Sequence, residues 1–180
     1  DRSFNVWALD CSSGSVLINK ENIGHSAEGW ISAIKWPEGE LDFTACWPTG
    51  LIPEYNKEKG IIIRDFSNDD IDLLVAREKA GYGSDKLVPL HFQHILSRVE
   101  FRIRQSLEDH IEMKLLKLEL KDYSKSGTYN LHGNGFWETG PANQSKVIYE
   151  AQQSTSLNIS KDPQYIGDDF FKNINKCESH

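Results

Sequence analysis

Two histidines, His91 and His94, could bind a metal ion together. On a helix, a spacing of three residues would place both imidazoles on one face. The run around them alternates like a strand, however, and residues three apart on a strand point to opposite faces. We therefore predict no metal at this pair and expect His94 to be a core histidine whose ring is packed and hydrogen-bonded in the interior.

An acidic cluster could bind calcium, and its members are Asp65, Asp69, Asp70 and Asp72. A twelve-residue calcium loop has oxygen ligands at alternating positions, a central Gly and a terminal bidentate Glu. The last two are missing from this segment. We interpret it as a solvated turn in which Asp side chains form Asx hydrogen bonds before the next strand.

The sequence carries none of the short motifs that position a nucleophile or a phosphate. Gly14-Ser15 and Gly83-Ser84 lack the GxSxG elbow, and neither a GxxxxGK[ST] loop nor an HExxH helix is present. The widely spaced Cys11, Cys46 and Cys177 form no CxxC pair and are interpreted as independent thiols. We assign no catalytic, cofactor-binding or metal-binding residue and expect a protein that is not an enzyme. A small hydrolase whose reactive groups converge only in the fold is an alternative.

Five tryptophans could provide a surface for sugar stacking, and they are Trp7, Trp30, Trp36, Trp47 and Trp137. Trp47 has the parity of the apolar residues of its strand, so we expect it in the core. Trp7 faces away from Val6, which favours the surface. Most of the five are expected to pack in a core or between sheets. Exposed Trp7, Trp30 or Trp137 would define an alternative function, a carbohydrate-binding module.

Charge and hydropathy exclude two kinds of partner. The 180 residues include 20 Lys and Arg against 27 Asp and Glu, a net charge of −7, with no basic block that could follow a phosphate backbone. We therefore expect no nucleic acid as partner. The longest apolar stretches, such as 61–63 and 73–76, are far shorter than the roughly 20 residues that cross a bilayer. We expect membrane contact only through a lipid anchor that this sequence does not contain.

Frequent turn residues separate short runs of alternating apolar and polar residues, a pattern typical of a sandwich or barrel. The expected strands are 4–9, 16–19, 41–47, 60–65, 72–76, 127–131, 146–151 and 155–159. Cys46 lies on the more polar face of its strand. From Lys161 the chain is polar with weak periodicity. We therefore expect one domain over residues 1–160 and a tail, or the start of a linker to an absent second domain, over 161–180.

The segment 87–104 cannot be one regular strand. Leu90, Phe92, His94 and Leu96 share even numbers, whereas the later apolar residues Val99, Phe101 and Ile103 have odd numbers. A one-residue slip moves every side chain of a strand to the other face, so the parity change requires an irregularity. We predict a β-bulge or sharp bend near 95–98 that lets the strand serve two registers or two sheets.

A second segment, 109–123, fits both a helix and a strand. Ile111, Leu115 and Leu118 have helical spacing, and the composition favours a helix. An alternating set that begins at Leu116 fits a strand equally well. Propensity alone slightly favours the helix, whereas the surrounding strand pattern favours the strand.

Several blocks of the sequence resemble successive blocks of the fimbrillin-like proteins, which are surface pilus subunits and adhesins of Gram-negative anaerobes. The blocks are LDFTACWP at 41–48, DLLVA at 72–76, VPLHFQHILSRVEFRI at 88–103 and, after a Leu-rich strand, GTYN at 127–130. Their order and spacing resemble the family from about Phe4 to Ile159.

The resemblance implies an all-β fold, a transthyretin-like Greek-key β-sandwich, and it favours a strand at 111–120. It implies export as a lipoprotein to the cell surface, outer membrane or fimbrium, where the chain would be a non-enzymatic structural or adhesive subunit without a cofactor. The implied partners are other pilus subunits, bound by strand exchange in which a neighbour's terminal strand fills a groove. Host proteins or glycans are further expected partners. His94 matches a histidine of the family, which supports its core interpretation and gives it no catalytic role.

Overall fold

The structure, a computed structural model, describes residues 3–35, 38–56, 60–67, 71–82, 87–96, 99–107, 111–131, 135–152 and 156–166. All regular elements within these ranges are β-strands, and the strand pairs with a defined register are antiparallel. The predicted all-β class is therefore confirmed. In the same ranges, no helix is long and apolar enough to cross a bilayer.

The strands in chain order are β1 (Ser3–Asp10), β2 (Val16–Ser26), β3 (Gly29–Trp30), β4 (Glu40–Trp47), β5 (Glu54–Asn56), β6 (Gly60–Ser67), β7 (Leu74–Gly81), β8 (Gln93–His94), β9 (Phe101–Ile103), β10 (Lys114–Leu115), β11 (Lys117–Tyr123), β12 (Ser126–Asn130), β13 (Phe136–Thr139), β14 (Gln144–Glu150), β15 (Leu157–Asn158) and β16 (Gln164–Ile166). The chain divides into two compact units. The first contains the described residues within 1–66, 71–97 and 128–138, and the second contains the others.

The first unit is built on a six-stranded sheet with the strand order β3-β2-β1-β4-β7-β8. Alternate residues of β1 and β4 place their side chains on one face of this sheet, and these side chains are buried. Val6 lies opposite Ala45 and Ala8 lies opposite Phe43, and all four side chains are buried. We call this the first face.

The second face of the sheet is buried as well. Trp7 of β1 and Cys46 of β4 pack in one cluster with Ile61 and Ile63 of β6. β6 belongs to a four-stranded sheet with the order β13-β12-β6-β5. The first unit therefore contains two packed β-layers, as the alternation of the sequence predicts.

Two predictions about this second face are wrong. Trp7 does face away from Val6, but it is only 1% exposed, and Cys46, which we placed on a more polar face, is 0% exposed. Alternation indicates which residues share a face but not whether another layer covers that face. A strand buried on both faces therefore cannot be recognised by assigning one parity to solvent.

The segment before β8 covers part of the first face. Val88, Leu90 and Phe92 pack against it, which confirms the shared face predicted for Leu90 and Phe92, whereas Leu96 of the same parity packs in the cluster of the second face. β8 itself is short, since only Gln93 and His94 pair with β7.

The chain then leaves this sheet. Leu96 lies in a bend, and the next strand, β9, pairs with β16 in a different sheet. The predicted irregularity and the change of sheet are both present. A single long strand over 90–103 is not, because two short strands take its place. Ser97 and Arg98 lie outside the described residues.

In the second unit, β11 pairs with β14 and β10 pairs with β15. The segment 111–120, for which propensity favoured a helix, therefore forms strands, as the resemblance implies. β10 and β11 are separated by Leu116, whose carbonyl accepts a hydrogen bond from the Ala151 N–H at 2.8 Å. β16 lies beyond Lys161, and its Ile166 is only 3% exposed, so strand pairing continues into the segment 161–180.

Candidate functional site

The two histidines lie at the surface rather than in the core. His94 Nδ1 is 2.5 Å from Asp72 Oδ2, and 56% of the His94 side chain is exposed. The predicted hydrogen bond of His94 is confirmed, but its interior position is wrong. β8 is an end strand of the sheet, so apolar parity there does not guarantee burial. His91 is also exposed.

The acidic cluster is only partly described. Asp72 Oδ1 accepts a hydrogen bond from the Leu73 N–H at 2.8 Å, and Asp65 is an exposed residue of β6. Asp69 and Asp70 lie outside the described residues, so the solvated turn stays a prediction. In the described part of the chain, no three His, Cys, Asp or Glu side chains are grouped so that they could hold a metal ion.

The two described cysteines are free thiols in different surroundings. Burial raises the pKa of the Cys46 thiol to about 12, which keeps it protonated. Cys11 is exposed, and its pKa is raised by desolvation and by the neighbouring Glu40. A raised pKa is the opposite of what activates a nucleophile. Cys177 lies outside the described residues.

The tryptophans of the predicted sugar platform have separate positions. Trp7 is in the core. The Trp137 ring lies 5.0 Å from the Tyr129 ring, and its indole N–H donates to the Ile95 carbonyl at 3.0 Å. Of the three, Trp30 keeps a large exposed fraction, 48%.

Trp47, expected in the core, is only half-buried at the end of β4. Its parity matches the first face, but the covering layers do not reach the strand end. Trp36 lies outside the described residues.

A groove with a cavity volume of about 340 Å³ lies beside β7 in the first unit. Residues from β4, β7, β8 and β12 line it. Its apolar and polar lining includes Val75, Ile95, Tyr129, Leu131, Thr44 and Gln93.

The groove follows an incompletely paired stretch of β7. β4 pairs with β7 along its whole length, from Leu74 to Gly81. On the other side, β8 pairs only with Leu74 and Val75. Among the described residues, the ladder on this side therefore stops where the groove begins.

The direction of the β7 backbone groups follows from two hydrogen bonds. The Ile95 N–H donates to the Leu73 carbonyl at 3.1 Å, and the Tyr82 N–H donates to the Gly39 carbonyl at 2.9 Å. In an antiparallel ladder the N–H and C=O of one residue point to the same side, and the side alternates along the strand. Odd-numbered residues such as Lys79 therefore direct their backbone groups to the β8 side, and even-numbered residues direct theirs to β4.

One wall of the groove depends on close packing around Tyr129. Tyr129 is buried, and burial raises its pKa. Gly135 has a φ of 67°, and a Cβ at this position would overlap Tyr129 Oη and lie 2.8 Å from Tyr129 Cζ. Glycine is therefore required at position 135 by conformation and by space.

The opposite wall is held by an ion pair. The Arg77 guanidinium donates to Asp42 through Nε at 2.9 Å and through Nη2 at 2.5 Å. Asp42 is almost fully buried, and its hydrogen bond raises the pKa of Arg77. A two-point Arg–carboxylate contact fixes the orientation of both side chains. The charge of Arg77 is thus used to hold β7 on β4.

This arrangement has features that fit an extended peptide. It combines a strand edge, which offers backbone donors and acceptors, with apolar side chains such as Val75, Ile95 and Leu131 and with polar and charged ones that include Arg77, Glu78 and His91. No Ser or Cys is among the described residues that line the groove.

Sequence reasoning missed this site because it predicted the strand at 72–76 instead of 74–81. The charged residues Arg77, Glu78 and Lys79 interrupt the apolar alternation, so the edge half of β7 does not resemble a strand. The glycine at 135, four residues after Leu131, was a detectable signal of an unusual backbone.

A comparison with known families adds a finding that geometry alone does not supply. The sequence model of the fimbrillin-like family matches residues 4–167. No curated protein and no solved structure matches the chain. The match covers all strands described above except the first residue of β1, and it confirms the resemblance of the sequence blocks. The chain therefore belongs to the fimbrillin-like family, a family of structural subunits of cell-surface fimbriae rather than of enzymes.

Proposed function

We propose that this chain is a non-enzymatic subunit of a cell-surface fimbria and that it assembles by strand exchange at the groove beside β7. A terminal strand of a neighbouring subunit would lie along β7 where the β8 ladder stops. The observation that carries the proposal is the coincidence of an incompletely paired strand edge with a groove of mixed polar and apolar lining in a member of a fimbrial family.

The dimensions of the edge fit a short donor strand. β7 continues from Ala76 to Gly81 beyond its last pair with β8, and six residues in a strand extend over about 20 Å. Backbone hydrogen bonds to β7 would provide affinity. Alternate side chains of the donor would contact Val75, Ile95 and Leu131, which would provide specificity.

The charged residues of β7 also fit this role. Lys79 is exposed on the incompletely paired side of the sheet. Charged side chains on a sheet edge, and lysine above all, oppose unspecific pairing with other strands. A cognate donor would need side chains that tolerate or neutralise this charge, so the edge would select its partner.

The finer features of the family belong to the same proposal. We infer a transthyretin-like Greek-key sandwich that includes β16, beyond the boundary expected at residue 160, and export as a lipoprotein to the outer membrane. The two packed layers of the first unit support the sandwich. Other pilus subunits are the proposed partners, with host proteins or glycans as ligands of an adhesive role.

The test is a matched pair of variants at Lys79. Lys79→Pro removes an N–H on the β8 side and places a proline ring at the edge, but it leaves the hydrogen bonds to β4 intact. Lys79→Gln removes the charge and keeps the N–H. We expect Lys79→Gln to form oligomer ladders after mild trimming of a terminus and Lys79→Pro to form none, while both keep the wild-type unfolding midpoint within a few degrees.

Equal assembly of the two variants, with both folded, would contradict strand addition at β7. Loss of assembly in both would instead point to the lysine charge. Sedimentation velocity measures the ladders, and tryptophan fluorescence reports folding.

A further inference from the structure

A row of aromatic rings connects the core of the first unit with its surface. The Phe4 ring lies 5.2 Å from the Phe92 ring and 5.1 Å from the Trp30 ring, and the His25 ring lies 5.1 Å from Trp30 at an angle of 78°. Phe4 and Phe92 are half-buried and pack against the first face of the sheet. Trp30 and His25 are the exposed end of this aromatic row.

The backbone around Trp30 is held on both sides. Before it, the Ser26 hydroxyl donates to the Gly29 carbonyl at 2.8 Å and closes the turn between β2 and β3. After it, the Glu21 carboxylate accepts hydrogen bonds from the Ser32 hydroxyl at 2.5 Å and from the Ala33 N–H at 3.0 Å. The backbone that carries the exposed indole is therefore held in place, and the indole itself packs against the rings of Phe4 and His25.

The size of the exposed surface limits what can bind there. Trp30, Ile31 and Ile34 are each about half exposed, which for side chains of this size amounts to on the order of 300 Å². A stable protein interface buries roughly 800 Å² on each partner. The surface is thus better matched to one or two small rings than to a folded protein.

Polar side chains lie beside the indole. His25 is exposed beside Trp30, and the exposed Glu28 lies in the turn between β2 and β3, two residues before Trp30. His25 sits opposite Trp30 in the strand pairing. They offer ring nitrogens and carboxylate oxygens next to an aromatic face, the combination of one apolar face and a few polar groups that fixes a small ligand.

We propose that Trp30 and His25 form a carbohydrate-binding site that stacks the apolar face of a pyranose ring on the indole. The C–H bonds on one face of a pyranose carry partial positive charge and are attracted to the negative π face of the indole. The hydroxyl groups at the ring edge hydrogen-bond to His25 and Glu28. A fixed indole lowers the ordering cost of binding, which matters for a ligand that makes few contacts.

The site is separate from the groove beside β7. Trp30, His25 and Glu28 are not among the residues that line that groove. A bound sugar would leave the groove free, so adhesion and assembly can occur on the same subunit. Failure of this proposal leaves the assembly proposal untouched.

The test is ¹⁹F NMR of the chain labelled with 5-fluorotryptophan. The Trp30 resonance is assigned by its loss in Trp30→Phe. Methyl β-galactopyranoside, methyl β-glucopyranoside and methyl N-acetyl-β-glucosaminide are titrated from about 1 to about 50 mM, because weak single-ring ligands bind in the millimolar range. Glycerol is the control for a polyol without a pyranose ring.

We expect at least one glycoside to shift the Trp30 resonance saturably and glycerol to shift it in no saturable way. His25→Ala should weaken the affinity for that glycoside at least threefold. Ile34→Ala, a change on the same exposed surface, should leave the affinity within twofold of the wild-type value. His25→Ala keeps every ring of the core in place, so it tests the site even if Trp30→Phe fails to fold.

Three results would overturn the proposal. The first is that no glycoside shifts the Trp30 resonance saturably. The second is a saturable shift confined to another tryptophan. The third is an affinity that is unchanged both in His25→Ala and in folded Trp30→Ala. If no sugar binds and Trp30→Ala changes the sedimentation of the chain, the surface is a protein interface instead.

Discussion

At the scale of single residues, side chains of chemically reactive types form contacts that stabilise the fold. Asp42 binds Arg77 and joins β4 to β7, and Asp72 binds His94 at the end of the sheet. Cys46 is a buried, protonated thiol. The polar residue types that first suggest chemistry in this sequence therefore stabilise its strands, as a structural subunit requires.

The wall of the groove provides a prediction about Gly135. Gly135→Ala should lower the free energy of unfolding by about 2–4 kcal/mol, because alanine is strained at this φ and its Cβ overlaps the buried Tyr129. Gly14→Ala is the matched control, since Gly14 has nearly the same φ, 68°, with nothing within 4 Å of its Cβ position. It should cost only about 1 kcal/mol. Urea unfolding midpoints measure both, and equal costs would show that Tyr129 does not constrain position 135.

The two described thiols should differ strongly in reactivity. In a Cys177→Ser variant, iodoacetamide at pH 8 should modify Cys11 in the folded protein and Cys46 at least about 100-fold more slowly, because burial leaves little thiolate at Cys46. In guanidinium the two rates should converge. Peptide mapping by mass spectrometry follows each site. Comparable rates in the folded protein would contradict the burial of Cys46.

At the scale of elements, parity in the sequence correctly grouped the residues of β1 and of the segment 88–92. It did not show that both faces of the main sheet are covered, so Trp7 was misplaced. The segment 111–120 shows the converse: propensity favoured a helix, and pairing with β14 and β15 decided for strands. A local sequence pattern does not show which distant segments of the chain will pair as strands.

The groove could not be predicted for the same reason. It exists because β8 stops pairing after Val75 while β7 continues, which is a difference in strand length between distant segments. Nothing in the local residue pattern of either strand encodes that difference.

The pairing of β1 and β2 gives a prediction at this scale. Between the pairs Val6–Glu21 and Ala8–Ile18, β2 contains two residues, Asn19 and Lys20, whereas β1 contains only Trp7. Lys20 has a φ of 56°. Lys20→Gly should raise the free energy of unfolding by about 0.5–1 kcal/mol, because the relief of left-handed strain exceeds the added entropy of the unfolded chain. Lys20→Ala keeps the Cβ and should give no such gain. Thermal unfolding compares the two, and an equal effect of both substitutions would exclude backbone strain as the cause.

At the scale of the whole molecule, the family, the two-layered first unit and the incompletely paired β7 point to one role. A strand donated along β7 would extend the six-stranded sheet from one subunit into the next. Contacts between two different surfaces of identical subunits do not close on themselves and can propagate as a fibre. A structural subunit needs this property and needs no catalytic centre.

Hydrogen exchange at the Lys79 amide tests this account most directly. The N–H of Lys79 points to the β8 side beyond the ladder, whereas the N–H of Glu78 points to β4. After assembly, exchange at Lys79 should slow by at least about 100-fold through its bond to the donor strand, while Glu78 stays protected in both states. Oligomers that form with unchanged exchange at Lys79 would show that subunits join elsewhere and would contradict strand addition at β7.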